Sequence, residues 1–266
     1  MIREPQIVEI KEIIDETPTI KTFLFDWNME KFGTPNPGEF VMVWNFSNEK
    51  PMSISQINNN ELAISVKNIG KFTSQLHNLQ IGDKIGIRGS YGNAFNNSFE
   101  GKNILLIGGG VGMAPINAIA SDLLAKGNNV SVVVAAINKE ELLFYQKLKN
   151  EGADVHACTD DGSFGFKGFA TDCTLELLKN NFYDYAFVCG PEIMMKGIFN
   201  ILENDGINAQ YSLERYMKCA IGLCGQCCVD DEGWRICVEG PVFDNNQIKQ
   251  ISEFGKYKRD ASGVKY

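Results

Sequence analysis

The stretch Asn103-Ile104-Leu105-Leu106-Ile107-Gly108-Gly109-Gly110-Val111-Gly112-Met113-Ala114-Pro115 decides how the chain folds. Its first half is an apolar run without polar alternation, as expected of a strand covered on both faces in a parallel sheet. Its second half is a glycine-rich turn that opens a helix predicted over 115–125. At such a turn bare backbone can approach a pyrophosphate, and the helix start favours the anion. The usual dinucleotide fingerprint is G-x-G-x-x-G, whereas Gly110-x-Gly112-x-x-Pro115 ends in proline. Proline suits the first helical position, where its missing N–H would have had no partner. Asn138 stands where an acid would close the second strand. The loop therefore points to a nucleotide but away from the standard Rossmann subtype.

Downstream the same alternation continues: strand 130–137, helix 140–150, strand 154–159, helix 171–178, strand 185–189 and helix 192–202. Gly127, Gly152 and Gly206 stand just past helix ends, where a left-handed cap residue is expected. This pattern predicts a doubly wound α/β nucleotide domain with a parallel sheet over residues 99–207. Upstream, short segments rich in Val, Ile and Phe at 6–14, 20–26, 39–46, 61–68 and 84–89 are split by turn clusters such as Thr34-Pro35-Asn36-Pro37-Gly38. Many strands with one short helix, near 71–78, predict a small antiparallel β-barrel over residues 1–98. Residues 208–266 make a third, small unit: a cysteine cluster and a polar tail. Its 256–259 run reads as solvated surface.

Lys plus Arg total 25 against 33 Asp plus Glu, a formal charge of -8. Without a basic run, no nucleic-acid partner is expected. The most apolar stretch, 104–116, is too short to cross a bilayer and is interrupted by glycines and a proline. Glu4 and Glu9 break any leader-like apolar segment at the start. The expectation is a soluble cytoplasmic protein with no membrane contact.

Of eight cysteines, Cys219, Cys224, Cys227, Cys228 and Cys237 crowd into one short segment. In a reducing compartment such a cluster holds metal more often than disulfides. The spacing Cys219-x4-Cys224-x2-Cys227, then a distant Cys237, is the plant-type arrangement for a [2Fe-2S] cluster. Three thiolates come from a loop that wraps the core and the fourth reaches in from a separate segment. Small residues at Ala220, Gly222 and Gly225 let backbone N–H groups approach the sulfurs. A four-cysteine zinc site is the competing reading, but zinc knuckles come in two short pairs and Cys237 is single. Cys228 is the spare, read as a small packing residue; its use in place of Cys227 is the alternative.

Other chemistry is placed by topology. Cys189-Gly190-Pro191 ends the fourth strand at the carboxyl edge, where open α/β sheets bind ligands. Cys189 either faces a redox centre or packs in the core. Asp160-Asp161-Gly162 falls on the same rim, although such a pair is by default a turn. In the barrel, Lys50-Pro51-Met52-Ser53 and Gly70-Lys71-Phe72-Thr73 bring a lysine, hydroxyls and a helix start together, a combination suited to phosphate. There is no G-x-S-x-G elbow, and His77 and His156 fall on a helix and in a strand, so nucleophilic hydrolysis has no support.

In order, these pieces resemble the ferredoxin-reductase superfamily, and within it the electron-transfer subunit of the dihydroorotate dehydrogenase B type. The resemblance spans nearly the whole chain. Lys50-Pro51-Met52-Ser53 is similar to the flavin motif R-P-x-S with lysine for arginine, and Gly70 to Thr73 to G-x-x-T. Gly89-Ser90-Tyr91-Gly92 is similar to G-P-Y-G, Asp160 to Gly165 to D-D-G-S-x-G, and Cys189 to Met194 to C-G-P-x-x-M. The cluster motif runs from Met217 to Cys237, followed by Glu239-Gly240-Pro241-Val242-Phe243. Cys219 favours the dihydroorotate type over transhydrogenase subunits, which tend to place Asp there.

The resemblance implies three cofactors: FAD, a [2Fe-2S] cluster and NAD. It implies FAD binding by Lys50, Pro51, Met52, Ser53, Val66, Lys67, Gly70, Phe72 and Thr73. For nucleotide binding it implies Gly108, Gly109, Gly110, Gly112, Met113, Pro115, Asp160, Gly190 and Pro191. Cys189 would act beside the nicotinamide, and Cys219, Cys224, Cys227 and Cys237 would ligate iron. Lysine offers a point charge where arginine offers a planar fork, so weaker FAD binding is expected from Lys50. The implied function is an oxidoreductase subunit of pyrimidine biosynthesis. It would pass electrons from an FMN-containing dihydroorotate-oxidising partner through cluster and FAD to NAD+, in a heterotetramer with two copies of each subunit. The rivals are a flavin and iron–sulfur reductase subunit serving ferredoxin or hydrogenase, and a zinc-stabilised nucleotide-sensing module.

Overall fold

The structure, a computed structural model, describes residues 4–266. Residues 1–3 of the expected barrel segment lie outside the described residues. Strands β1 (Gln6–Asp15), β2 (Ile20–Asp26), β3 (Phe40–Trp44), β4 (Glu49–Asn58), β5 (Glu61–Lys67) and β6 (Lys84–Tyr91) close into an antiparallel barrel in the order β1-β2-β5-β4-β3-β6. Alternation sets the interior: Phe23 faces Ile64 and Phe25 faces Leu62 across β2 and β5, and all four are buried. Strand β4 escaped the sequence reading because Pro51, Ser53, Ser55 and Gln56 interrupt its apolar pattern. Its pairing with β5 starts only at Ile54, so Pro51 sits where that ladder needs no N–H. Two helices join the barrel, α1 (Met29–Phe32) and α2 (Lys71–His77). The first was not expected; Asn28 caps it by accepting from the Lys31 N–H at 2.8 Å.

The second unit contains β7 (Asn103–Gly109), α3 (Met113–Ala125), β8 (Asn129–Ala136), α4 (Tyr145–Asn150), β9 (Asp154–Thr159), β10 (Phe166–Lys167), α5 (Ala170–Leu178), β11 (Tyr185–Cys189) and α6 (Glu192–Asn204). Beyond it come β12 (Ala209–Ser212), β13 (Val242–Asp244) and α7 (Asn245–Gln250). The sheet order is β10-β9-β8-β7-β11-β12-β13, parallel throughout except for the β12–β13 pair. Ile104–Ile107 on β7 and Val132–Val134 on β8 are fully buried, which is why the sequence shows no alternation there. The chain therefore combines an antiparallel barrel, a doubly wound α/β unit and a C-terminal cysteine-bearing segment. Among the described residues no helix is long and apolar enough to cross a membrane.

Three details depart from the sequence reading. The helix expected over 140–150 is broken: a 3-10 turn at Lys139–Glu141 is followed by Phe144 in the left-handed region (φ 61), and α4 begins only at Tyr145. Leu143 and Phe144 are pulled into the core, which a continuous helix would not permit. Pro115 is the third residue of α3 rather than the first, still within the turn that lacks intrahelical N–H partners. Finally, the C-terminal unit 208–266 shares the nucleotide sheet. Strands β12 and β13 belong to the nucleotide sheet, and the cysteine segment is an excursion between them.

Barrel and sheet are locked together. Asn117 of α3, wholly buried, donates to the Ser55 carbonyl at 2.7 Å and accepts from Lys147 Nζ at 2.9 Å. Glu141 accepts from the hydroxyls of Thr17 (3.1 Å) and Thr19 (2.6 Å).

Candidate functional site

Sheet order reverses between β7 and β11, the crevice where open α/β sheets bind ligands. Gly108 pairs with Cys189 there, so the glycine turn and Cys189-Gly190-Pro191 meet side by side. The glycines serve different ends. A Cβ on Gly112 would lie 2.6 Å from the Cys189 carbonyl oxygen and from Gly190 Cα, so this glycine permits close packing. One on Gly108 or Gly109 would strike the thioether of Met113 or Met194. Gly110 alone in the turn has φ +54 and nothing within 4 Å of a Cβ, leaving its backbone open to a ligand. Met113 and Pro115 are buried in the first turn of α3. Asp160 is exposed on the rim, its N–H donating to the Ala136 carbonyl. Cys189 is buried, and burial pushes its thiol well above the usual cysteine range despite a hydrogen bond with Ser212.

Beside this crevice lies a cavity of about 520 Å³, within the range of cofactor sites. Lys50, Pro51, Met52 and Ser53 on the half of β4 unpaired to β5 form one wall. Lys67, Gly70, Lys71, Phe72 and Thr73 form another. Val66 does not line it: alternation along β5 turns Ser65 and Lys67 to the cavity and Val66 into the barrel core. Thr73 Oγ1 is occupied within its own loop, accepting from the N–H groups of Ile69 and Gly70 at 3.0 Å and donating to the Gly70 carbonyl. Lys50 Nζ stands 4.4 Å from the Tyr216 ring centroid, a cation–π contact. The third wall is residues 212–217, which carry the chain out of β12. Val111 and Ala114 also line the cavity, so the nucleotide turn and the cavity share a border.

Two residues past Met217 the cysteine loop begins. Its thiols fall into two pairs, Cys219 with Cys224 and Cys227 with Cys237, each within hydrogen-bonding reach. Burial opposes ionisation of Cys219, but the N–H groups of Cys224, Ile221 and Leu223 and the Cys224 thiol outweigh it and lower its pKa to about 6. The Cys237 thiol, helped by backbone N–H groups, lowers Cys227 to about 7, while Cys237 as donor is pushed up. Burial and the neighbouring Cys227 raise Cys228, which lies outside both pairs. Among the described residues no three His, Cys, Asp or Glu side chains gather as they would for a single metal ion. A two-iron cluster would ask for something else, two thiolates for each iron and N–H donors on the sulfurs; the segment offers two thiol pairs and N–H groups at Cys219 and Cys227.

A family model for the iron–sulfur cluster binding domain of dihydroorotate dehydrogenase B matches residues 214–249, and one for the oxidoreductase NAD-binding domain matches residues 106–199. A Methanothermobacter thermautotrophicus protein named "probable dihydroorotate dehydrogenase B (NAD(+)), electron transfer subunit" is 49% identical over 97% of this chain and 96% of its own length. Its namesake in Methanocaldococcus jannaschii is 46% identical over 99% of both chains. The chain belongs to the dihydroorotate dehydrogenase B electron transfer subunit family. Among solved structures, an NADH-dependent reduced ferredoxin–NADP oxidoreductase studied for flavin-based electron bifurcation aligns with TM-score 0.81 and 28% identity over 94% of each chain. A Neisseria gonorrhoeae ferredoxin NADP+ reductase with bound FAD and NADP aligns at TM-score 0.66 and 18% identity over 77% of this chain and 92% of its own, a likeness of fold.

The matched models give the chain an iron–sulfur cluster binding domain and an NAD-binding domain, and its residues suit a flavin, a pyridine nucleotide and a [2Fe-2S] cluster. Lys50, Lys67 and Lys71 border one cavity, a donor set for a diphosphate. Gly110 leaves its backbone open beside the sheet crevice, and the paired thiols suit two irons. The sequence reading missed Arg88, which clamps Glu49 through two bonds of 2.9 and 2.6 Å and donates to the Cys219 carbonyl at 3.1 Å. No local signal marks it, because Cys219 lies far along the chain. Lys71 was quoted in a motif without a role, and Tyr216 was overlooked between two better-known motifs.

Proposed function

We propose that this chain is the electron transfer subunit of an NAD+-linked dihydroorotate dehydrogenase B, an oxidoreductase of pyrimidine biosynthesis that works with a separate FMN-containing, dihydroorotate-oxidising subunit. When bound, the [2Fe-2S] cluster, FAD and NAD supply the redox chemistry, taking electrons singly from the partner and delivering a hydride to NAD+. The observation that carries this reading is continuity: the segment that walls the flavin cavity delivers Cys219 two residues later. No intervening element separates the two stations.

The division of labour follows the three units, 1–98, 99–207 and 208–266. In the first, Lys50, Lys67 and Lys71 hold the flavin diphosphate as point charges, while Pro51, Met52, Ser53, Gly70 and Phe72 shape the cavity. Thr73 acts by stiffening the Gly70 turn, and Val66 by packing the barrel behind it. In the second, Gly110 accepts the nucleotide pyrophosphate, and Gly108, Gly109 and Gly112 let the turn lie against Cys189-Gly190-Pro191. Met113 and Pro115 fix the start of α3, and Asp160 borders the nucleotide rim. Cys189 keeps its proton at neutral pH because it is buried, so it serves as a neutral surface and not as a base. In the third, Cys219, Cys224, Cys227 and Cys237 ligate the irons.

Leu223, next to the exposed Cys224 in the chain, and Val238, packed beside Gly222, are both exposed and form the apolar face for the catalytic subunit. The assembly is a cytoplasmic heterotetramer with two copies of each subunit. Co-expression with that partner, anaerobic purification, and flavin, iron and sulfide analysis test the reading. Dihydroorotate-dependent NADH formation with one FAD and two irons per chain is expected; a colourless protein containing zinc would overturn it. The likeness to the ferredoxin–NADP oxidoreductase favours a second reading, service to ferredoxin. Reduction of ferredoxin without any dihydroorotate activity would select it.

A further inference from the structure

Arg215 lies in the third wall of the flavin cavity, four residues before Cys219, with its side chain only 3% exposed. Two buried carboxylates grip it, Glu192 (6% exposed) and Glu253 (2%). Arg215 Nε donates to one Glu253 oxygen at 3.0 Å, and Nη2 stands 2.9 Å from that same oxygen as an ion pair, without a hydrogen-bond partner of its own. Nη1 donates to Glu192 and, at 2.8 Å, to the Glu214 carbonyl.

Each carboxylate belongs to a different part of the molecule. Glu192 opens α6 two residues after Gly190, on the nucleotide side, and its second oxygen accepts from the Gly255 N–H at 3.2 Å. Glu253 lies beyond α7, and its second oxygen accepts from the Asp230 N–H at 2.8 Å, three residues past Cys227. One guanidinium thus ties together the nucleotide rim, the flavin wall and the cluster segment. Buried charges are desolvated at a cost that apolar packing would avoid, so such a site gives little stability in return. What it does give is fixed direction, since a fork between two carboxylates admits one orientation.

We propose that Arg215 is a positioning residue for electron passage: it sets the flavin wall relative to the cluster loop and the nucleotide rim. This rests on the function proposed above. Removing Arg215 alone strands two buried carboxylates, so Arg215→Lys is paired with a triple variant, Arg215→Met with Glu192→Gln and Glu253→Gln, that strands neither carboxylate and leaves only the partly exposed Lys258, 3.9 Å from Glu192, without its anion. The holoprotein is compared by cofactor content, visible circular dichroism of the bound flavin and iron–sulfur centre, and single-turnover reduction by NADH.

The triple variant is expected to melt near the wild type and keep its flavin and iron. Its visible dichroism should change, and passage from flavin to cluster should slow by about tenfold more than reduction of the flavin by NADH, the scale of losses seen when groups behind a metal site are altered. Arg215→Lys should fall between the two, because it keeps the charge and loses the fork. Unchanged dichroism with both steps intact would make Arg215 a stabilising element only and overturn the proposal. So would equal slowing of both steps, or loss of flavin alone. Wild-type protein that loads neither flavin nor iron would instead refute the function itself.

Discussion

Gly110 and Gly112 stand two residues apart in one turn and answer to different demands, one to a ligand and one to the neighbouring strand. Gly112→Val drives a branched side chain into the Cys189–Gly190 backbone and should cost about 1–3 kcal/mol or more, read as a lower Tm. Gly110→Ala meets open space and pays only for its left-handed φ, about 1 kcal/mol, so its main effect should be weaker NADH binding in a titration. At the cluster, Cys219→Ser, Cys224→Ser or Cys237→Ser should abolish the iron–sulfur absorbance, and Cys228→Ser should retain most of it; iron analysis checks both. Spacing made an iron–sulfur segment legible, because loop length and thiol count are written along the chain, and a family model for that domain matches residues 214–249. Val66 and Thr73 were not legible in the same way. Motif membership says that a position matters, whereas only the pleat shows Val66 turned inward and only the loop shows the Thr73 hydroxyl already engaged.

The tail 256–266 is an element held by charge. Asp230 accepts from the Tyr257 hydroxyl at 2.6 Å and pairs with Arg259 at 2.9 Å, and these partners hold its carboxyl below the usual aspartate value. A carboxyl depressed by folding lends its stabilisation fully above its unfolded pKa, about 3.9, and loses it as pH falls through the lower folded value. Amide exchange in the tail should therefore accelerate below about pH 4, ahead of exchange in the barrel. Asp230→Asn should produce the same loosening at neutral pH and flatten the acid dependence. Elements with sustained periodicity or unbroken burial, such as β7, β9 and α6, could be read from the sequence to within a few residues. Strands β12 and β13 could not, being too short to carry a pattern and existing only because a sheet edge is there to receive them. Helix α4 was overestimated because its apolar residues serve the core at the expense of helical phase.

At the scale of the molecule, cofactor transfer needs barrel and sheet to keep a fixed relation, and two polar clasps maintain it. Asn117→Ala takes its donor from the buried Ser55 carbonyl and leaves Lys147 with Glu151 alone, and Glu141→Ala removes the acceptor of two threonine hydroxyls. Each should cost about 1–3 kcal/mol. Together they should split a single calorimetric transition into two, with NADH-to-flavin reduction slowed before either unit melts. Neither clasp was visible in the sequence, because its partners are separated by tens of residues and each is an ordinary polar side chain. The order of barrel, sheet and cysteine segment was visible, since strand alternation, unbroken apolar runs and cysteine spacing follow one another along the chain. The iron-bearing excursion departs from the sheet at Ser212 and returns beside it at Val242, with the Leu213 N–H donating to the Pro241 carbonyl at 2.9 Å. Its two stumps are thus fastened to each other whatever lies between them, and the entropy of closing a longer or shorter insert changes only slowly with length. That seam behaves as a cassette boundary: a redox module of another size or potential grafted beyond Met217 and before Pro241 would re-register no strand and keep the cavity wall, so the upstream electron source could be exchanged.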